Sequence, residues 1–135
     1  MSYKYLYYKF NPNTDLTITN QTTISSEKYI GTENLTLDVF DTLTSKKVGI
    51  LCLNIIYNKL HIDSPMLLNV ESSISLNDGI ISYKIYIQSN TLSLPSGKLF
   101  TTVLNGTENY YNIIGNPVAI DVDDNTGFRF ITIKL

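Results

Sequence analysis

The chain has 135 residues, with 10 basic and 12 acidic side chains and a net charge of −2. This length fits one domain over residues 1–135, and the lack of a basic stripe argues against nucleic acid as a partner. With one cysteine and one histidine, the chain cannot form an internal disulfide or a Cys/His zinc site. It also lacks the glycine-rich pattern that is typical of nucleotide-binding loops. We therefore expect no metal and no cofactor.

The N-terminus predicts a cytoplasmic protein. Met1–Phe10 has no apolar stretch after its lysines and no small-residue cleavage site, so we expect no signal peptide. Apolar runs fall far short of the roughly 20 residues that cross a bilayer, so we expect no membrane association. The excess of Ile, Asn and Lys is typical of an AT-rich genome, such as that of a large DNA virus; a viral protein of this kind would be packaged in a virion.

Alternating apolar and polar residues predict strands along the whole chain and no helix. Strands are expected near residues 3–10, 15–23, 34–43, 47–57, 66–76, 81–88, 97–104, 117–122 and 127–134. The strand over 47–57 is apolar on both faces, so we expect it to be covered on both sides. Cys52 in this strand is then a small buried hydrophobic residue.

The hairpin that begins at Met66 is the clearest local pattern. Its first strand alternates up to Leu76, and Asn77-Asp78-Gly79 then forms the turn, with Gly79 supplying a positive φ. The return strand directs four side chains inward, namely Ile81, Tyr83, Ile85 and Ile87.

Eight or nine short strands with evenly spaced turns predict an all-β fold. We expect a single antiparallel β-barrel of eight to nine strands. A two-layer β-sandwich is the alternative, because the number and spacing of the strands fit both.

Two segments resemble the β-barrel superfamily of allene oxide cyclase and dirigent proteins, over about residues 31–135. Leu37–Leu53 reads as a strand, a short turn, Lys-x-Gly and an apolar strand. Gly106–Gly115 is similar to the superfamily signature Gly-[Thr/Ser]-Gly-x-[Tyr/Phe]-x-x-[Ala/Val]-x-Gly, with Glu108 in place of the middle glycine. The resemblance implies that this segment is a corner between strands, whose aromatic side chain plugs the barrel end.

The resemblance also implies enzymes that steer a reactive apolar molecule by shape, assisted by a glutamate on the first strand. The matching strand here, Tyr3–Phe10, contains no carboxylate, so we assign no catalytic residue. The sequence leaves enzymatic activity open and favours its absence, with the barrel as a structural or protein-interaction module. The alternative is a barrel that binds or steers a small apolar ligand, with three candidate binding residues, Tyr83, Tyr110 and Tyr111.

The first strand predicts self-association as well. Tyr5 and Tyr7 share one of its faces with Tyr3, while the other face carries Tyr8 and Phe10. A strand that is apolar on both faces needs cover on its outer side, and tyrosine is enriched at interfaces. We expect a homo-oligomer, and the resemblance implies a dimer or a trimer.

Overall fold

A computed structural model describes residues 4–12, 16–22, 30–58, 66–89 and 97–135. The described chain forms nine strands: β1 (Tyr5–Phe10), β2 (Leu16–Thr22), β3 (Ile30–Asp41), β4 (Lys47–Asn58), β5 (Met66–Leu76), β6 (Gly79–Ser89), β7 (Gly97–Gly106), β8 (Pro117–Val122) and β9 (Arg129–Lys134). The all-β prediction is confirmed. The prediction of no helix is wrong at one place, because a 3-10 helix covers Glu108–Ile113. No helix in the described ranges is long and apolar enough to cross a membrane.

Eight strands close into an antiparallel barrel, as the sequence predicts. Their order is β1-β9-β8-β7-β6-β5-β4-β3, and β3 returns to β1 through the pairs Tyr8 with Asp41 and Lys9 with Phe40. The strand β2 pairs with the remaining length of β3, from Leu37 to Thr32. β3 therefore has two partners on one edge, β1 and then β2.

The two ends of the barrel are built differently. At one end, here named the closed end, lie the β3–β4 turn (42–46), the β5–β6 turn (77–78) and the 3-10 helix. Here β6 pairs with β7 at Ile81, Ser82 and Tyr83. In the described part of both strands this ladder has no further pair, and only the Thr101 hydroxyl continues it, donating to the Lys84 carbonyl at 2.6 Å.

The opposite end, the split end, consists of two separate sheets. We name β2–β6 the first leaf and β7, β8, β9 with β1 the second leaf, since ladder pairing is continuous within each. Beyond Tyr83 on β6 and Phe10 on β1, the described strands of the two leaves share no ladder pair, and the Thr101–Lys84 bond is the hydrogen bond that continues from the ladder. The barrel thus includes a half that resembles the sandwich alternative.

The core fills the barrel from wall to wall at the closed end. The side-chain period of two places alternate residues of each strand inside, as on β9, where Ile131 and Ile133 are fully buried. Apolar side chains with no measurable exposure come from most strands, and they include Leu37, Val39, Leu51, Ile74 and Ile81. Burial of these side chains stabilises the closed end.

The prediction for Cys52 is wrong, because this residue is exposed. On β4 it is Leu51 and Ile55 that point into the barrel. Cys52 and Ile50 lie on the outer face, which the described residues leave exposed. The prediction that the 47–57 strand is covered on both faces is therefore wrong, because its outer face is exposed at Ile50 and Cys52.

Candidate ligand-binding site

The closed end is plugged by Tyr110, which the 3-10 helix directs into the barrel. Tyr110 is 8% exposed, and its hydroxyl donates a hydrogen bond of 2.5 Å to the Asp78 carboxylate in the β5–β6 turn. The Asn109 amide also donates to the Asp78 carbonyl, at 3.2 Å. Thr107 is bound to Ile80 twice, through its amide at 3.0 Å and its hydroxyl oxygen at 2.9 Å. These bonds fasten the plug to the hairpin.

Three polar groups form a chain at this plug. Tyr8 and Tyr110 share a side-chain hydrogen bond, and burial is the main cause that raises the pKa of both. The hydrogen bond from Tyr110 holds the pKa of Asp78 below its usual range. At neutral pH the tyrosines are protonated donors and Asp78 is an ionised acceptor, an arrangement that anchors the plug.

The backbone around the plug leaves no room for side chains at two glycines. A Cβ on Gly106 would lie 2.1 Å from the Tyr110 carbonyl oxygen, and one on Gly79 would lie 2.3 Å from the Thr107 carbonyl oxygen. Gly79 has φ +145°, a positive value as the turn prediction requires. Glu108, which replaces the middle glycine of the resembled signature, adopts φ +53°. The corner therefore keeps a glycine-like backbone with a glutamate in it.

The three tyrosines predicted to bind ligand do not form one site. Tyr83 is buried in the lumen, Tyr110 forms the plug, and Tyr111 is 74% exposed on the outside of the helix. Of these three, only Tyr83 lines a cavity inside the barrel.

This cavity lies between the two leaves, with a volume of about 30 Å³. The first leaf contributes Leu53, Val70, Ser72, Tyr83, Ile85 and Ile87. The second leaf contributes Phe10, Leu99, Ile120, Val122 and Arg129. The volume is room for one or two water molecules, so the lumen is almost filled by the protein's own side chains.

Two polar residues of the first leaf interrupt this apolar lining. Ser72 and Tyr83 are cross-strand neighbours on β5 and β6, both buried, and their side chains share a hydrogen bond. Burial raises the pKa of Tyr83, with the Ser72 hydrogen bond opposing the rise. The Tyr83 hydroxyl therefore stays protonated at neutral pH and is available as a hydrogen-bond donor.

Among the described residues that line the cavity, Arg129 supplies the only charge, and sequence reasoning did not select it as a site residue. It begins β9 and shares the inward parity of Ile131 and Ile133. One guanidinium nitrogen, Nη1, donates to the Gly127 carbonyl, while Nε is buried with no hydrogen-bond partner among the described residues. Burial lowers the pKa of Arg129, and Asp124 partly offsets this. A cationic side chain in register with two inward isoleucines is the sequence signal that could have identified it.

Comparisons with known proteins identify the fold and no family. No protein-family model matches this sequence, and no curated protein matches it. The structure is similar to the crystal structure of the Diels Alderase AbmU from Streptomyces koyangensis, with a TM-score of 0.64 over 98% of this chain and 68% of that chain. At 8% sequence identity the likeness concerns the fold. The resemblance to allene oxide cyclase and dirigent proteins stays a prediction.

Proposed function

We propose that this protein binds a small, largely apolar molecule in the lumen, between the two leaves of the split end. The observation that carries the proposal is the set of polar side chains in an otherwise apolar cavity: Ser72, Tyr83 and Arg129. Ligand sites are mostly apolar, with a few polar groups that fix orientation. Polar groups in a purely structural core bring no comparable benefit, because burying them costs free energy.

The ligand must enlarge a cavity that has room for only one or two water molecules. The leaves contact each other through side chains beyond Tyr83 and Val103, where their shared ladder ends. Separating them there breaks apolar contacts and the Thr101–Lys84 hydrogen bond, and it leaves the ladders within each leaf intact. An apolar ligand that fills the gap replaces those contacts, so the cost of separation is largely recovered.

The proposal is for binding and not for turnover. The described lining presents hydroxyl and guanidinium donors, which hold and orient a ligand. A catalytic role, in which the site steers a reactive molecule by shape alone, would also require that molecule to bind in the lumen.

A pair of substitutions on β7 tests the site. Leu99 lines the cavity and packs against the core, whereas Leu104 on the same strand is 52% exposed. Leu99→Phe should lower the affinity for a neutral apolar dye such as Nile red by about tenfold, because the larger ring occupies the cavity. Leu104→Phe is the matched control and should retain binding.

Fluorescence titration of the dye gives the affinities, and thermal melting shows that both variants fold. A dye that does not bind the unmodified protein, or that binds all three proteins equally, would contradict the proposal.

Exposed aromatic side chains favour a second candidate function, self-association as a structural or interaction module. Tyr86 and Phe100 are 75% and 72% exposed on β6 and β7. On β1, the exposed rings of Tyr5 and Tyr7 lie 6.0 Å apart, in the position from which the sequence predicts an oligomer. Light scattering should then give a dimer or trimer instead of the 15.2 kDa monomer. A monomer at micromolar concentration would remove this candidate.

A further inference from the structure

The state of Arg129 indicates which chemical class of ligand the lumen takes. Arg129 is the only arginine of the chain and stands at the split end, paired across the ladder with Phe10 and Val122. Both neighbours line the same cavity. The guanidinium is thus placed where the apolar lumen meets the end of the barrel.

The Arg129 guanidinium has more N–H donors than it uses in hydrogen bonds with the described residues. In the described residues its hydrogen bonding consists of Nη1 to the Gly127 carbonyl, and Nε is buried with no partner. The ion pairs of the described residues join Lys47 with Asp38 and Lys84 with Glu71, so neither involves Arg129. A partly buried cation without an ion pair is costly unless an anion or another acceptor completes it.

We infer that the ligand carries a carboxylate, which Arg129 binds at the split end, while its apolar body extends between the leaves. This inference rests on the proposed function. A guanidinium presents a planar fork of donors that matches a carboxylate, and such charge-assisted bonds are stronger than neutral ones. The Tyr83–Ser72 pair lies deeper in the same cavity and offers a second polar contact along the ligand.

Octanoate below its micelle-forming concentration and octanol below its solubility limit test the inference, because they share an apolar chain and only octanoate carries a charged head. Displacement of Nile red from the full chain gives both affinities. We expect octanoate to bind about tenfold more tightly than octanol, the effect of one charge-assisted contact. Arg129→Met should lower the affinity for octanoate about tenfold relative to that for octanol, so that the preference disappears. Lys98→Met is the matched control, since it removes an exposed cation from β7 near the same end, and it should preserve the preference.

The possible results separate the inference from the function on which it rests. Equal affinities for octanoate and octanol in the unmodified chain would overturn the anchoring role of Arg129 and keep the binding function. If octanoate, octanol and the dye all fail to bind, the inference about Arg129 and the proposed binding function are both overturned. If Arg129→Met does not fold, the octanoate and octanol affinities of Arg129→Lys and of the unmodified chain test the inference instead. A preference that survives loss of the guanidinium, or that is lost equally in Lys98→Met, would also contradict the inference.

Discussion

The closed end and the split end of the barrel are held together in different ways. At the closed end, hydrogen bonds from Tyr110 and Asn109 to Asp78 join elements far apart in sequence. At the split end, the leaves meet through apolar side chains around a small cavity that contains Arg129. Hydrogen bonds fix one geometry, whereas apolar contacts tolerate displacement. The barrel thus combines an end whose geometry is fixed by hydrogen bonds with the end at which we propose that a ligand binds.

The largest expected effect comes from filling the tightest point of the closed end. Gly106→Ala places a Cβ 2.1 Å from the Tyr110 carbonyl oxygen, so the plug must shift. We expect the free energy of unfolding to fall by about 3 kcal/mol in urea denaturation. Gly115→Ala is the control, because no atom of the described residues lies within 4 Å of its Cβ position and only the strain of φ +90° remains. The control should lose about 1 kcal/mol. Equal losses would mean that the contact with Tyr110 is not rigid.

Amide hydrogen exchange distinguishes the ends without any substitution. On β6, the amides directed at β7 should exchange at least about tenfold faster over 84–88 than over Ile81–Tyr83, where the ladder is formed. Exchange measured by NMR on the unmodified protein gives both rates. Uniform protection along β6 would contradict the division into two leaves.

Loss of the plug's hydroxyl should have a moderate effect. The resemblance alone predicts that Tyr110→Phe leaves stability nearly unchanged, but the hydrogen bond to Asp78 changes this expectation. We expect the melting temperature at pH 7 to fall by about 2–5 °C. Tyr111→Phe, at an exposed position, is the control and should not change it.

The difference in melting temperature between the unmodified protein and Tyr110→Phe should depend on pH. The folded pKa of Asp78 is depressed from 3.8, chiefly by the Tyr110 hydrogen bond. Its stabilising contribution is therefore complete above the unfolded pKa and is lost as the pH falls through the folded value. The difference in melting temperature between the unmodified protein and Tyr110→Phe should shrink below about pH 3.8. A difference that grows in acid would show that Asp78 is not the partner.

The smallest expected effect is a gain in stability. Glu108 holds φ +53°, which costs about 1 kcal/mol for a residue with a Cβ. Glu108→Gly should remove this cost, and after the greater entropy of glycine in the unfolded chain about 0.5 kcal/mol should remain. Glu108→Ala keeps the Cβ and should show no gain in the same denaturation experiment.

The strands were predictable because a period of two in hydrophobicity directly reflects which face is buried, as at Ile131 and Ile133. Cys52 was misplaced because β4 is apolar on both faces, so the pattern does not say which face points inward. The division into leaves depends on pairing between residues distant in sequence, such as Tyr83 with Val103.

The 3-10 helix is too short to show a helical period, and its hydrogen bonds to Asp78 are tertiary contacts that the local sequence does not reveal. Arg129 lay in a predicted strand, but its unpaired Nε is visible only in the structure.

NMR titration of the isotope-labelled protein with Nile red tests the central claim most directly. Binding between the leaves predicts that backbone shifts concentrate on lining residues of the split end, namely Ile85, Ile87, Leu99 and Ile120, while Asn109 and Ile114 at the closed end stay unchanged. Shifts confined to outward residues such as Tyr86 and Phe100, or no shifts at all, would contradict the account.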